Sequence, residues 1–226
     1  LSRFWLTKRC SQLIEPTQAF NLIRGSSAFG LYRALSKSGE LSIIDISDQD
    51  FPGTCVLTIY GSDALNKNVR YCAGMSYAKN RATAIEKSIL ELWQTFRFMN
   101  LFQVLGRNPD SLQDSYIRHF MNCNSYEVYQ EIIGNIEVSP NPNQQEGFEF
   151  NSQTLIEALS DNEIEGYLYL RPITIAASEY MLCRFVSPSL FMHMDNSKYI
   201  NIDNDYSKRF TTTIDITRKQ KMVPFP

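Results

Sequence analysis

The stretch from Ala82 to about Leu105 constrains the fold more than any other part of the chain. Ile85, Ile89, Leu92, Phe96 and Met99 recur there at the spacing of one helical face, so a single long helix is expected. Leu90, Trp93 and Phe98 occupy its other sides. A helix apolar on several sides is expected to lie buried between layers.

Three β-rich runs precede it: Leu41 to Ile46, Thr54 to Tyr60 and Val69 to Met75, the first two separated by Asp48-Gln49-Asp50-Phe51-Pro52-Gly53. Three adjacent strands are the simplest arrangement. Ala28 to Leu35 predicts a helix ended at Lys37-Ser38-Gly39, and Phe4, Trp5, Leu13 and Ile14 suggest the tail of another. Downstream, Asp110 to Phe120 and Tyr126 to Ile133 predict shorter helices and Thr154 to Leu159 a helical turn or two. Gly166 to Leu170 and Tyr180 to Val186 predict strands. The class is therefore α/β (α+β), as one region over residues 1–226, with 139–147 a long exposed loop rather than a linker. The tail from Thr211 runs from a strand-like Thr/Ile segment through a solvated basic run, Arg218, Lys219 and Lys221. It ends in a stiff, extended strip over residues 218–226, closed by Pro224, Phe225 and Pro226.

Composition excludes several function classes. A hydrophobic content of 43% argues against disorder, and a net charge of -2 gives no global drive toward nucleic acid or anionic membrane. No apolar run approaches the roughly 18 residues a membrane span needs, and no signal peptide opens the chain. Cys10, Cys55, Cys72, Cys123 and Cys183 are odd in number and lack paired spacing, which points to reduced thiols and a cytoplasmic setting. The opening Leu1-Ser-Arg-Phe-Trp has no initiator methionine and begins inside an amphipathic segment, so residues upstream are expected.

His119 and His193 sit in no metal-binding spacing, which leaves each as a hydrogen-bonded structural residue, and no metal site is expected from these residues. Nucleophile-elbow, P-loop and dinucleotide-binding motifs are all absent. Lys87, Glu91 and Gln94 fall at offsets of four and three on one stripe of the long helix, opposite the apolar stripe that begins at Ile85. On solvent they are an ordinary polar face. Walled in by protein, the lysine could contact phosphate while the carboxylate positions a magnesium-bound water or holds the lysine.

The segment Tyr71-Cys-Ala-Gly74-Met-Ser76 through Ala84, Lys87 and Glu91-Leu-Trp-Gln94 resembles the glycine-containing strand, turn and helix in the second half of YcaO-family proteins. Glu91 and Gln94 match that family's Glu-Leu-x-Gln type signature, and Lys87 stands where the family commonly has an arginine. Leu57-Thr-Ile-Tyr-Gly61, Asp114-Ser-Tyr-Ile-Arg-His-Phe-Met121, Val186-Ser-Pro-Ser-Leu-Phe-Met-His-Met194 and Lys221-Met-Val-Pro-Phe-Pro226 place the resemblance closest to the cyclodehydratases of thiazole/oxazole-modified microcins.

The resemblance implies the C-terminal part of a YcaO fold, with mixed sheets and helices packed around an ATP site. It implies an enzyme using ATP and Mg2+ to convert Cys, Ser or Thr of a ribosomal precursor peptide into azoline rings. Lys87, Glu91 and Gln94 become ATP-binding residues, and Pro224, Phe225 and Pro226 a catalytic strip that reaches the site. The implied partners are the precursor peptide, a leader-binding subunit and an FMN-dependent azoline dehydrogenase, in a hetero-oligomer with a self-dimer left open. The family's acidic ExxER-like helices, which bind the metal ions, are absent here, so this chain by itself is expected to be inactive. The alternative is a non-catalytic scaffold or partner-binding module of the same synthetase.

Overall fold

Strand β3 is buried from Val56 to Gly61 because helices cover both faces of the sheet it runs through. The computed structural model describes residues 1–7, 11–134, 136–139, 149–191, 203–218 and 223–224. In chain order its elements are α1 (Ser2–Thr7), β1 (Gln12–Ile14), α2 (Pro16–Ile23), α3 (Phe29–Ser38), β2 (Glu40–Asp45), β3 (Thr54–Gly61) and β4 (Tyr71–Ala78). There follow α4 (Arg81–Val104), α5 (Ser115–Asn122), α6 (Tyr126–Ile133), β5 (Glu137–Ser139), α7 (Ser152–Asp161), β6 (Tyr167–Ile175), β7 (Ser178–Val186) and α8 (Asp205–Lys208). The main sheet has the order β4-β3-β2-β1-β5, antiparallel except for the β1–β5 pair. This is the mixed α+β architecture expected.

Period-two alternation sorts the strands between two cores. Ile43, Val56, Tyr60 and Cys72 point into one, closed by Ile85, Ile89, Leu92 and Met99 of α4 together with α2 and α3. Ile44, Leu57, Ile59, Tyr71 and Ala73 point into the other, closed by Phe4, Trp5 and Leu6 of α1 and by Tyr129 and Ile132 of α6.

Two features lock α4 onto the sheet. A Cβ on Gly74 would lie 2.1 Å from the Leu92 nitrogen and 2.4 Å from the Ser88 carbonyl oxygen, so helix backbone meets strand backbone where only glycine fits. Beside it the hydroxyls of Thr58 and Ser88, both fully buried, hydrogen-bond each other at 2.7 Å. The helix starts where the Asn80 side chain accepts from the Thr83 amide, and Arg81 pairs with Asp45 at 3.0 Å.

Four local expectations change. Leu13 and Ile14 form strand β1, paired to β2 and β5, and not a helix tail; Pro16 at the first turn then starts α2. The Thr/Ile run after Phe210 forms two 3-10 turns, Thr211–Thr213 and Ile216–Arg218, and no strand. Helix α4 is covered by the sheet and flanked by α2 and α3 but carries no further layer among the described residues, with Leu90, Phe98, Leu101 and Val104 exposed. The hairpin β6–β7 extends well past Leu170, turning at Ala176 and Ala177, both at positive φ. Pro172 and an Ala-Ala turn carry none of the usual hairpin signals. The segment 140–148, which holds most of the expected loop, lies outside the described residues, and Ser139 belongs to β5.

Candidate functional site

Helical geometry carries Lys87, Glu91 and Gln94 to the outer face of α4, where all three are exposed. The same four-three spacing continues through Phe98, Leu101 and Leu105, exposed as well. One stripe therefore changes along the helix from polar to apolar. At the change lies an open depression of about 500 Å³, lined by Trp93, Gln94, Arg97, Phe98, Asn100, Leu101 and Val104.

The donor set fits one part of magnesium-ATP and not the other. Lys87 supplies a cation and Gln94 an amide for a phosphate, beside the aromatic rings at 93 and 98. Magnesium, which takes six oxygen ligands, finds only the Glu91 carboxylate on this stripe, and no cluster of metal-binding side chains occurs among the described residues. Metal ligands must come from outside the stripe if a metal binds here.

The C-terminal strip docks on the other side of the sheet. Val223 is 1% exposed in the core formed with α1 and α6, and Pro224 is buried beside it. The phenol of Tyr71 donates to the Pro224 carbonyl at 2.8 Å. Phe225 and Pro226 lie outside the described residues. The Lys87 stripe and Pro224 are thus separated by the sheet and helix α4, and the described residues do not bring them together.

Arg218 corrects the reading of a solvated basic run. Its guanidinium lies 4.5 Å from the Trp5 ring centroid, donates to the Trp5 carbonyl at 3.1 Å, and reaches Glu131 and Asp215 at 3.5 Å. Burial lowers its pKa, against the raising influence of those two carboxylates. Lys219 and Lys221 lie outside the described residues.

A more enclosed cavity of about 250 Å³ sits between α1 and the β2–β3 loop, lined by Arg3, Asp48, Cys55, Tyr77, Leu155 and Tyr206 among others. Asp48 accepts hydrogen bonds from Arg3 and Tyr206. Burial pushes the Asp48 carboxyl up, but those hydrogen bonds and the Arg3 charge hold it below the usual range overall. An ionised carboxylate so paired anchors a fold; it is not a proton donor in waiting. Residues 3, 48 and 206 are too far apart in sequence for any local pattern to have signalled the network.

His119 stays structural: its Nε2 lies 3.4 Å from the Cys123 sulfur within α5 and its C-terminus. His193 lies outside the described residues. Burial raises the thiol pKa of Cys55 and Cys72, and that of Cys123 to about 12, so these are thiols and not thiolate nucleophiles.

No family model matches the chain. Over 199 residues, 85% of this chain and 49% of the other, it is 35% identical to the Microcin B17-processing protein McbD of Escherichia coli. Its fold matches a chain in the solved structure of the E. coli Microcin synthetase McbBCD complex with pro-MccB17 bound, with a TM-score of 0.81 and 31% identity. A chain in a structure of the E. coli Microcin synthetase McbBCD complex matches with a TM-score of 0.83 and 30% identity. Each match covers 99% of this chain and 56% of the other. The chain spans about half the length of the relatives it matches.

Proposed function

On the premise that this chain belongs with the McbD-like microcin-processing proteins over the half of their length it spans, we propose that it forms part of an ATP-dependent peptide cyclodehydratase. The observation that carries this reading is the fold match over 99% of the chain. A Cys, Ser or Thr side chain of a ribosomal precursor peptide adds to the preceding backbone carbonyl. The resulting oxyanion takes the γ-phosphoryl group of ATP, releasing ADP. Loss of phosphate, with the amide proton, leaves the azoline ring.

In this scheme the outer stripe of α4 forms one wall of the nucleotide site, with Lys87 on phosphate and Glu91 and Gln94 orienting it. Bound magnesium supplies charge neutralisation for the triphosphate; its other ligands come from a part of the enzyme beyond this stripe. Pro224, Phe225 and Pro226 form the strip that completes the peptide site, and Tyr71 sets where that strip leaves the core. The partners of the assembled enzyme are the precursor peptide, a leader-binding subunit and an FMN-dependent dehydrogenase that oxidises azoline to azole. No described helix is long and apolar enough to cross a membrane.

The test uses the enzyme that contains this chain, with precursor peptide whose cyclised carbonyls carry 18O, plus ATP and magnesium but no dehydrogenase. The expected product has lost one water per ring, with the heavy oxygen in released phosphate. Rings whose lost oxygen appears in bulk water would overturn amide phosphorylation. Tight peptide binding without any mass change would favour the scaffold alternative.

A further inference from the structure

Strand β4 is an edge of the main sheet, and its outer side is covered along only part of its length. The Asn124 side chain accepts from the amides of Arg70 and Tyr71 at 2.7 and 3.1 Å, so the Tyr71 amide points away from β3. In an antiparallel ladder every second residue turns its backbone outward, which selects Ala73, Met75 and Tyr77 as well. The Thr95 hydroxyl donates to the Ala73 carbonyl at 2.7 Å, in agreement with that assignment. Beyond Gly74 no such cover follows: among the described residues, nothing bonds to the outward amides and carbonyls of Met75 and Tyr77. Burial changes at the same point. Residues 71–74 are buried, whereas Met75 and Ser76 are half-buried and Tyr77 is exposed. An open strand edge is a template for another extended backbone.

We propose that the precursor peptide binds at this edge, adding a strand to β4 from Met75 to Tyr77 and placing its reacting carbonyl beside the Lys87 flank of α4. Lys87, Glu91 and Thr95 follow one another at four-residue spacing on α4, and Thr95 bonds Ala73, so this flank adjoins the edge. Helix α4 runs back along β4, with Ser88 and Leu92 against Gly74. Met75 to Tyr77 therefore lie toward the start of α4, on the Lys87 side of that contact. The same edge borders the opposite face of the sheet, where Tyr71 holds Pro224. A peptide on this edge can thus meet both the phosphate-binding flank and the C-terminal strip, which the sheet otherwise keeps apart. Backbone pairing also suits the chemistry. It presents an extended chain and need read no side chain, as acceptance of Cys, Ser and Thr alike requires. The occupant of the edge rests on the ring-forming reading, but its binding can be measured without ring formation.

Hydrogen exchange of the assembled enzyme, read residue by residue in the absence of ATP, provides the test. Saturating precursor peptide, with occupancy followed by fluorescence anisotropy, should slow exchange at the Met75 and Tyr77 amides about tenfold or more. Met75→Pro removes an outward N–H without touching the β3 ladder, and should raise the peptide Kd about tenfold with the Kd for ATP unchanged. Peptide carrying backbone esters on the residues that flank the reacting Cys or Ser should bind more weakly to a similar degree, and this arm needs no variant enzyme. Met75 and Tyr77 amides already slow before peptide is added assign the edge to another strand of the enzyme and overturn the proposal. Peptide that binds without protecting either amide, or that is indifferent to the esters, overturns it too. Protection of both amides together with rings whose lost oxygen enters bulk water would keep the site and overturn amide phosphorylation alone.

Discussion

Tyr71, the first residue of β4, donates its phenolic hydrogen to the carbonyl of Pro224, 153 residues later, and this buried bond of 2.8 Å ties the end of the chain to the central sheet. Burial raises the Tyr71 phenol well above its ordinary pKa, so it remains a donor throughout the working pH range. Tyr71→Phe should leave a buried carbonyl unpaired and cost about 1–3 kcal/mol, read from the denaturant midpoint. Removal of Phe225 and Pro226 alone keeps that bond. It should abolish ring formation in the assembled enzyme with little change in unfolding, and undiminished cyclisation would remove the strip from the peptide site. Deletion of Pro224 to Pro226 should also abolish ring formation, with loss of the Tyr71 bond as its structural cost.

Gly74→Ala puts a methyl group into the backbone of α4, between Ser88 and Leu92. Neither atom belongs to a flexible side chain, so helix and sheet must separate. We expect a loss of about 3 kcal/mol in urea unfolding. A stable Gly74→Ala variant would mean that α4 does not approach β4 so closely.

Arg218→Ala should destabilise far more than an ordinary change in a basic tail. It removes the cation over Trp5 and leaves the Trp5 carbonyl without that donor. The cost should be about 2–4 kcal/mol by thermal or chemical unfolding, and Arg218→Lys should recover only part of it because lysine lacks the planar fork.

Asp48 sets an acid limit. Its folded pKa is depressed, so its contribution is fully present above the unfolded carboxylate value, about 3.9, and is lost as pH falls through the lower folded value. Asp48→Asn should lower the urea midpoint at neutral pH, and the gap from the parent chain should close below about pH 4. A gap that stays constant down to pH 3 would place the relevant titration elsewhere.

Lys87→Ala removes an exposed cation and should leave the melting temperature unchanged. In the assembled enzyme it should raise the KM for ATP about tenfold, equivalent to ~1.4 kcal/mol, with a smaller effect on precursor peptide. An unaltered KM would return Lys87, Glu91 and Gln94 to the status of a solvated helix face.

Periodicity alone determined the three central strands, α4 and α6, because side-chain alternation is a local property that survives without knowledge of neighbours. The resemblance blocks likewise pointed to the relationship that the identity and fold match bear out. Tertiary structure decided what crosses long sequence distances. Leu13 and Ile14 became a strand because β2 and β5 offered backbone partners on both sides, outweighing a short apolar pattern that suited helix equally. Arg218 left the solvent because Trp5, Glu131 and Asp215 together compensate its charge, and no window along the chain contains all four residues. The outer side of α4 stayed uncovered although its apolar residues suggested a second layer, since hydrophobicity states that a surface will be covered and not by what. Whether Lys87 and Pro224 serve one site was beyond sequence for the same reason: the sheet between them exists only once the strands have paired.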